Sequence, residues 1–213
     1  DEGDVFRQQL IEPELHNRMG LPPADLHDGP FTCGLSANVP RKGLDQLLNA
    51  LAQLPQGSWQ WTVVGSQTAD HGYTKYIHAR CSLLTPGAVQ FAGRVSDGDL
   101  VHHYRTHHLL AVPSYEGFGI VYLEAMRFGL PVIASTLGAA CEIVTEGENG
   151  FLVRPHDAGT LSQHLRSLQD NREQLLAMSF AARMRYTQHP TWQQSMAGAA
   201  AWLTALPSLE RDP

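Results

Sequence analysis

Lysine is scarce in this chain. Its 213 residues hold two, Lys42 and Lys75, and the 15 Lys and Arg are outnumbered by 21 Asp and Glu. With a formal net charge of −6 and a pI near 6.0, it lacks the basic face that gripping a phosphate backbone requires, so no nucleic-acid partner is expected. Long apolar runs are missing too. Those present, such as Leu109–Val112, are strand-sized and fall far short of the ~20 residues of a membrane span. Cysteine is limited to Cys33, Cys81 and Cys141, far apart in sequence and without a C-x-x-C pair. An odd, scattered set argues against a disulfide framework or a zinc ribbon and fits a reducing compartment. The three are expected to be small, partly buried hydrophobes. Charged residues make up 17%, below the usual ~25%. The 43% hydrophobic content supports a substantial core, not a disordered acidic chain.

Several catalytic signatures are also absent. There is no G-x-x-x-x-G-K-[ST], which excludes a P-loop, and no G-x-S-x-G around Ser114, which excludes a serine-hydrolase elbow. Gly117-Phe118-Gly119 is followed by Tyr122 where a dinucleotide fingerprint needs glycine. No 20–50-residue period repeats. The chain opens on Asp1 with no basic-plus-apolar leader. The expected location is cytoplasmic, with peripheral membrane association left open.

What is present is alternation. Residues 1–30 are polar, with Pro13, Pro22, Pro23, Gly29 and Pro30, and read as a leading segment or linker with a short helix over 4–18. From residue 31, strands predicted at 31–36, 59–64, 89–91, 109–112, 131–134 and 151–153 alternate with helices at 43–54, 73–84, 97–106, 118–128 and 138–144. The 43–54 helix rests on Leu44, Leu47, Leu48, Leu51 and Leu54 at spacings of three and four. Alternation of this kind predicts right-handed βαβ units and a parallel sheet. Such short apolar strands are expected to be buried on both faces. Helices then follow at 158–168, 172–185 and 191–205, and 206–213 is a tail. The predicted fold is a doubly wound, Rossmann-like α/β domain over 31–205 with about six short parallel strands and closing C-terminal helices.

In open parallel sheets, ligands sit beyond the carboxyl ends of the strands. Two predicted turns there carry chemistry. Pro113-Ser114-Tyr115-Glu116-Gly117-Phe118-Gly119-Ile120 leads from a strand into a helix. Gly117 and Gly119 permit close backbone approach, and the free amides at the helix start form an anion site. Glu116 precedes the helix and Glu124 follows eight residues on, a little over two turns along. One carboxylate can reach each end of an extended polyhydroxylated ligand, with the amides facing an anionic linker between them. The second turn, Val39-Pro40-Arg41-Lys42-Gly43, puts two cations at a helix start, where they oppose the dipole. That conflict fits an anion site; a solvated basic turn is the plain alternative.

These residues resemble the C-terminal, nucleotide-sugar-binding half of retaining glycosyltransferases of the GT-B fold, of the glycosyl transferases group 1 (family 4) type. The resemblance runs over roughly residues 31–205. It rests on Pro113-Ser114, Glu116 to Met126, Gly129, Pro131 to Ser135, Gly138, Glu142-Ile143-Val144 and Asn149 to Val153. Upstream, Pro40 to Gly43, Val63-Val64-Gly65, Val89, Phe91 and Gly93 follow in order, and Thr191-Trp192 opens the last helix. The resemblance implies a catalytic pair: Glu116 on sugar hydroxyls and Lys42 offsetting diphosphate charge. It implies donor contacts from the Phe118, Gly119 and Ile120 amides beside Gly117. Glu124 would bind the ribose, Gly93, Arg94 and Val95 would lie along the base, and Gly65 would line the cleft. One position departs from the pattern. Five residues before Lys42 the family usually carries Arg, and here stands Ala37, leaving Arg41 or Arg94 to supply a second cation.

The implied substrate is a nucleoside-diphosphate sugar, with no metal or other cofactor called for. The implied partner is an N-terminal acceptor-binding domain, without which the chain would be inactive and through which any membrane contact would be made. A non-catalytic nucleotide-sugar-binding or interaction module is the alternative. Other features have plainer expectations. His102, His103, His107 and His108 read as a surface cluster, with Leu100, Val101 and Tyr104 inward and His103 and His107 outward. Trp59 and Trp61 read as core or interface. Trp192, Met196, Trp202 and Leu203 read as helix packing.

Overall fold

The computed structural model describes residues 31–35 and 40–205. Its elements are β1 (Phe31–Leu35), α1 (Leu44–Leu51), β2 (Trp59–Val64), α2 (His71–Cys81), β3 (Val89–Gly93), α3 (Asp97–Thr106), β4 (Leu109–Val112), α4 (Ile120–Arg127), β5 (Val132–Ser135), α5 (Ala140–Ile143), β6 (Gly150–Val153), α6 (Ala158–Asp170), α7 (Arg172–Gln188) and α8 (Trp192–Ala205). The helix expected at 4–18, Ala37 and the tail lie outside the described residues.

The six strands form one parallel sheet in the order β3-β2-β1-β4-β5-β6. This is the doubly wound α/β arrangement predicted. The order reverses between β1 and β4, the place where such sheets open a crevice. Right-handed connections put α1 and α2 on one face and α3 and α4 on the other. α6 packs along α1 and α7 against α4. The leucine stripe of α1 is buried as its spacing predicts, and Trp59 and Trp61 both lie in the core. Among the described residues, no helix is long and apolar enough to cross a membrane.

Burial on both faces holds for β4 and β5, each buried along its whole length. It fails for β2 and β3, where Gln60 and Gln90 are exposed. Their pleat turns Trp59, Trp61 and Val63 to the core and sets Gln60 and Thr62 on the opposite face. The result is a polar groove of about 460 Å³ between these strands and α3, lined partly by Thr32, Gln60, Gln90, Asp99 and His103. Lys42, Glu116 and Glu124 do not line it.

His107 corrects the expected surface cluster. The helical spacing that set it outward ends at Thr106, because His107 is extended (φ −106, ψ 156). Its ring turns inward and is 7% exposed. Nδ1 lies 2.7 Å from the His103 carbonyl and Nε2 lies 2.8 Å from Thr62 Oγ1. A carbonyl only accepts, so Nδ1 carries the proton and Nε2 accepts from the threonine hydroxyl. Burial lowers the pKa of His107 to about 4. His108 is buried as well, stacked on Phe31.

Two further expectations change. Cys33 is buried and Cys81 half-buried, but Cys141 is exposed. It lies on α5, whose four residues bury only Ala140 and Ile143. The apolar stripe of α8 packs on nothing described: none of its residues is buried, and Trp192 and Trp202 are 68% and 64% exposed. The extended backbone at His189, followed by Pro190, ends α7 and breaks its direction.

Candidate functional site

The site is assembled by two turns, 74 residues apart in sequence, that pack on each other. β4 ends in buried Val112 and delivers Pro113 and Ser114, both also buried. The β1–α1 connection reaches it through a 3-10 turn, Pro40–Lys42, and Gly43, which caps α1 in the left-handed region (φ 71). A Cβ on Gly43 would stand 3.0 Å from the Pro113 carbonyl oxygen. Glycine is therefore what lets the turns close, and closure carries Lys42 to Glu116.

Lys42 Nζ donates to Glu116 Oε1 in an ion pair whose side chains are 11% and 15% exposed. Ser114 Oγ donates to the same oxygen at 3.0 Å. No described residue bonds Glu116 Oε2. The backbone of Glu116 is also held: its carbonyl accepts from Ala139 N at 2.9 Å, and it bridges to Gly138 in parallel fashion. Gly138 has φ 78, and a Cβ there would fall 2.3 Å from the Glu116 carbonyl oxygen. The β5–α5 turn thus clamps the loop that presents the carboxylate. Part-buried charges of this kind survive only when paired and hydrogen-bonded.

α4 starts at Ile120, not Phe118, with Gly119 as a left-handed N-cap making no side-chain cap bond. Phe118 and Gly119 therefore lie in the turn, and the first free helical amide is that of Ile120. Glu124 is consequently one turn into α4, not two. Tyr104 Oη donates to Glu124 Oε2 at 3.2 Å, so α3 steadies this carboxylate from the side. At the next strand ends, Gly65 N donates to the Gly93 carbonyl at 2.7 Å, which joins the tips of β2 and β3. Arg94 beyond them is exposed, Val95 half-buried, and Arg41 occupies the middle of the Pro40–Lys42 turn.

The structure therefore brings Lys42, Glu116 and Ser114 together and sets Glu124 beside Tyr104. It leaves Arg94 without a described hydrogen-bond or ion-pair partner. Sequence reasoning missed Ser114 and Tyr104. A hydroxyl two residues before the acid was a signal for the first; for Tyr104, read only as core, there was none. It also missed an apolar rim: Tyr115, Phe118, Ile120 and Leu137 are 59%, 85%, 57% and 48% exposed. Beneath it lies Tyr122, whose buried hydroxyl has no described partner. Burial first, and then the Glu116 carboxylate, push the Tyr122 phenol well above its ordinary value.

Chemically, the arrangement offers a buried cation, a carboxylate with one oxygen to spare, a helix N-terminus and a second carboxylate one turn on. That combination suits a ligand carrying both an anionic linker and hydroxyl groups.

Comparison with known proteins gives this geometry a context. The family profile described as Glycosyl transferases group 1 matches residues 26–185. A GDP-mannose-dependent monoacylated alpha-(1-6)-phosphatidylinositol monomannoside mannosyltransferase of Corynebacterium glutamicum is 33% identical over 165 residues, covering 73% of this chain and 42% of the relative. A GDP-mannose-dependent alpha-(1-6)-phosphatidylinositol monomannoside mannosyltransferase of Mycobacterium tuberculosis is 30% identical over 190 residues, 84% of this chain and 48% of the relative. Among solved structures, Anabaena HepE in complex with UDP and glucose aligns with a TM-score of 0.74 at 26% identity, over 95% of this chain and 52% of that one. Sucrose-phosphate synthase from Thermosynechococcus elongatus aligns at 0.72 with 31% identity, over 87% of this chain and 50% of the other. The chain thus spans about half the length of the proteins it matches. With its parallel sheet forming the Rossmann-like layer of the GT-B fold, the chain belongs to the glycosyl transferases group 1 family.

Proposed function

We propose that the chain is the donor-binding half of a retaining glycosyltransferase, holding a nucleoside-diphosphate sugar for transfer to an acceptor hydroxyl. The observation that carries this reading is the Lys42–Glu116–Ser114 cluster at the mouth of the β1/β4 crevice. In this reading the diphosphate sits at the N-terminus of α4 and at Lys42, where negative charge grows as the sugar departs. Glu116 accepts from sugar hydroxyls and fixes the ring. Glu124 accepts from the ribose, while Gly65, Gly93, Arg94 and Val95 border the base. The acceptor, and any contact with a membrane, belongs to a second domain contributed by the rest of a longer protein, so the chain alone does not turn over. No step of this scheme calls for a metal ion.

Calorimetry with GDP, UDP, ADP and their hexose conjugates tests the proposal. One conjugate should bind and raise the melting temperature by linkage. Glu124→Ala should weaken nucleotide and conjugate alike. Failure of every compound to bind at millimolar concentration would sink the reading.

A further inference from the structure

Lys42 is committed before any diphosphate reaches it. Its Nζ donates to Glu116 Oε1, and both side chains are largely removed from water. A phosphate oxygen that takes Lys42 must displace that carboxylate. Glu116 would then keep only the Ser114 hydroxyl on Oε1, in surroundings where an under-bonded carboxylate is costly. What else arrives with the phosphate decides the balance. A sugar brings hydroxyl donors that can replace the lost ammonium bond and also use Oε2. A bare nucleoside diphosphate brings none.

We infer that Glu116 is a specificity-determining residue that competes with the diphosphate for Lys42, so that the site favours a sugar-bearing nucleoside diphosphate over the bare one. This rests on the donor-binding reading above and adds direction to it. The conjugate satisfies both members of the pair. Once the sugar has gone, the remaining nucleotide faces a carboxylate reclaiming its ammonium, which helps to expel it. Ser114 is the keeper in this exchange: it holds Oε1 in place while Lys42 changes partner. Specificity gained by penalising the wrong ligand, not by adding contacts to the right one, is a common device.

The test is a double-mutant cycle on the chain itself, with bare nucleotides and hexose conjugates as titrants in calorimetry. Glu116→Gln keeps the shape and removes the charge. It should tighten bare nucleotide on the order of tenfold, weaken the conjugate, and bring the ratio of the two affinities toward one. Lys42→Met, with Lys42→Gln as a second version in case the turn is disturbed, should weaken both ligands. In either Lys42 background, the gain from Glu116→Gln should vanish, because nothing is left to compete for. Two results would overturn the inference. One is bare nucleotide binding no more tightly to Glu116→Gln than to the unmodified chain. The other is a gain that survives in full without Lys42, which would mark simple charge repulsion between Glu116 and the phosphates. Absence of any nucleotide binding to the unmodified chain is a different failure: it removes the donor site, and this inference with it.

Discussion

Acidification should destabilise this protein through His107, and the size of the effect follows from its surroundings. The ring is 7% exposed and faces the Thr62 hydroxyl and the His103 carbonyl, which fix the neutral tautomer. Burial is the main cause of the lowered pKa; the nearby His103 and His102 rings act in the same direction, and the His103 carbonyl opposes it. The folded value is about 4, against an ordinary 6.5. Between those values the unfolded chain binds more protons than the folded one, so stability falls as pH falls. The contribution is complete above the unfolded pKa, is lost through the window from 6.5 to about 4, and changes no further below it. A gap of that size corresponds to about 3 kcal/mol, a large part of the stability of a marginally stable domain. The assay is urea unfolding at a series of pH values for the unmodified chain and for His107→Gln, whose amide keeps a donor and an acceptor without titrating. Desolvation also lowers His103, His164 and His189, but they stay in both proteins and their contributions largely cancel in the difference. The two stabilities should run parallel above about pH 7 and converge by about 3 kcal/mol on the way to pH 4. Parallel curves across the whole range would refute the assignment, as would a His107 ring resonance that titrates near its ordinary value.

Two substitutions probe the clamp and the brace around the carboxylates. Gly138→Ala combines a left-handed backbone with a Cβ 2.3 Å from the Glu116 carbonyl oxygen. It should cost about 2–4 kcal/mol of stability and more than tenfold in conjugate affinity, read by urea unfolding and calorimetry; undiminished affinity would show that the 116 loop does not need the clamp. Tyr104→Phe removes the hydroxyl 3.2 Å from Glu124 Oε2. It should weaken nucleotide and conjugate equally, by about fivefold or 1 kcal/mol, leaving their ratio unchanged. A lower melting temperature with unchanged affinities would make the contact purely structural.

Much of this was legible in the sequence, for reasons that can be located. β4, β5 and α1 declare themselves because burial on a fixed period leaves little choice of residue: four apolar residues in a row for β4 and three for β5, leucines at three and four for a helix stripe. Trp59 and Trp61 read as core or interface from their alternation alone, and the pleat of β2 turns both into the core. The Glu116–Glu124 spacing marks a candidate site, but its geometry was not legible. Helix patterning continues smoothly through Phe118 and Gly119, and only the left-handed backbone at Gly119 moves the start of α4 to Ile120. His107 was misplaced by the mirror-image error, a helical spacing carried one residue past the helix end.

The harder class of miss involves partners far apart in the chain. Nothing near Lys42 announces that Glu116 will hold it, because the contact depends on Gly43 meeting Pro113 across the sheet. The cations at a helix start looked like a local conflict with the dipole, and the structure resolves it by pairing Lys42 with a distant carboxylate. α8 is the opposite case. Its sequence carries two tryptophans, a methionine and a leucine and no charged residue, a composition that water alone does not favour. A helix of this length with nothing buried is marginal by itself. Its pattern reads as a packing face, yet the described residues bury none of it. The same distinction applies to the proposed site. The residues proposed to hold the donor, Lys42, Glu116 and Ser114 with Glu124 one turn into α4, are all supplied by this one α/β unit. The chain spans about half the length of the relatives it matches, and in the proposed reading the acceptor contacts fall to the rest of such a protein, where neither this sequence nor this sheet could announce them.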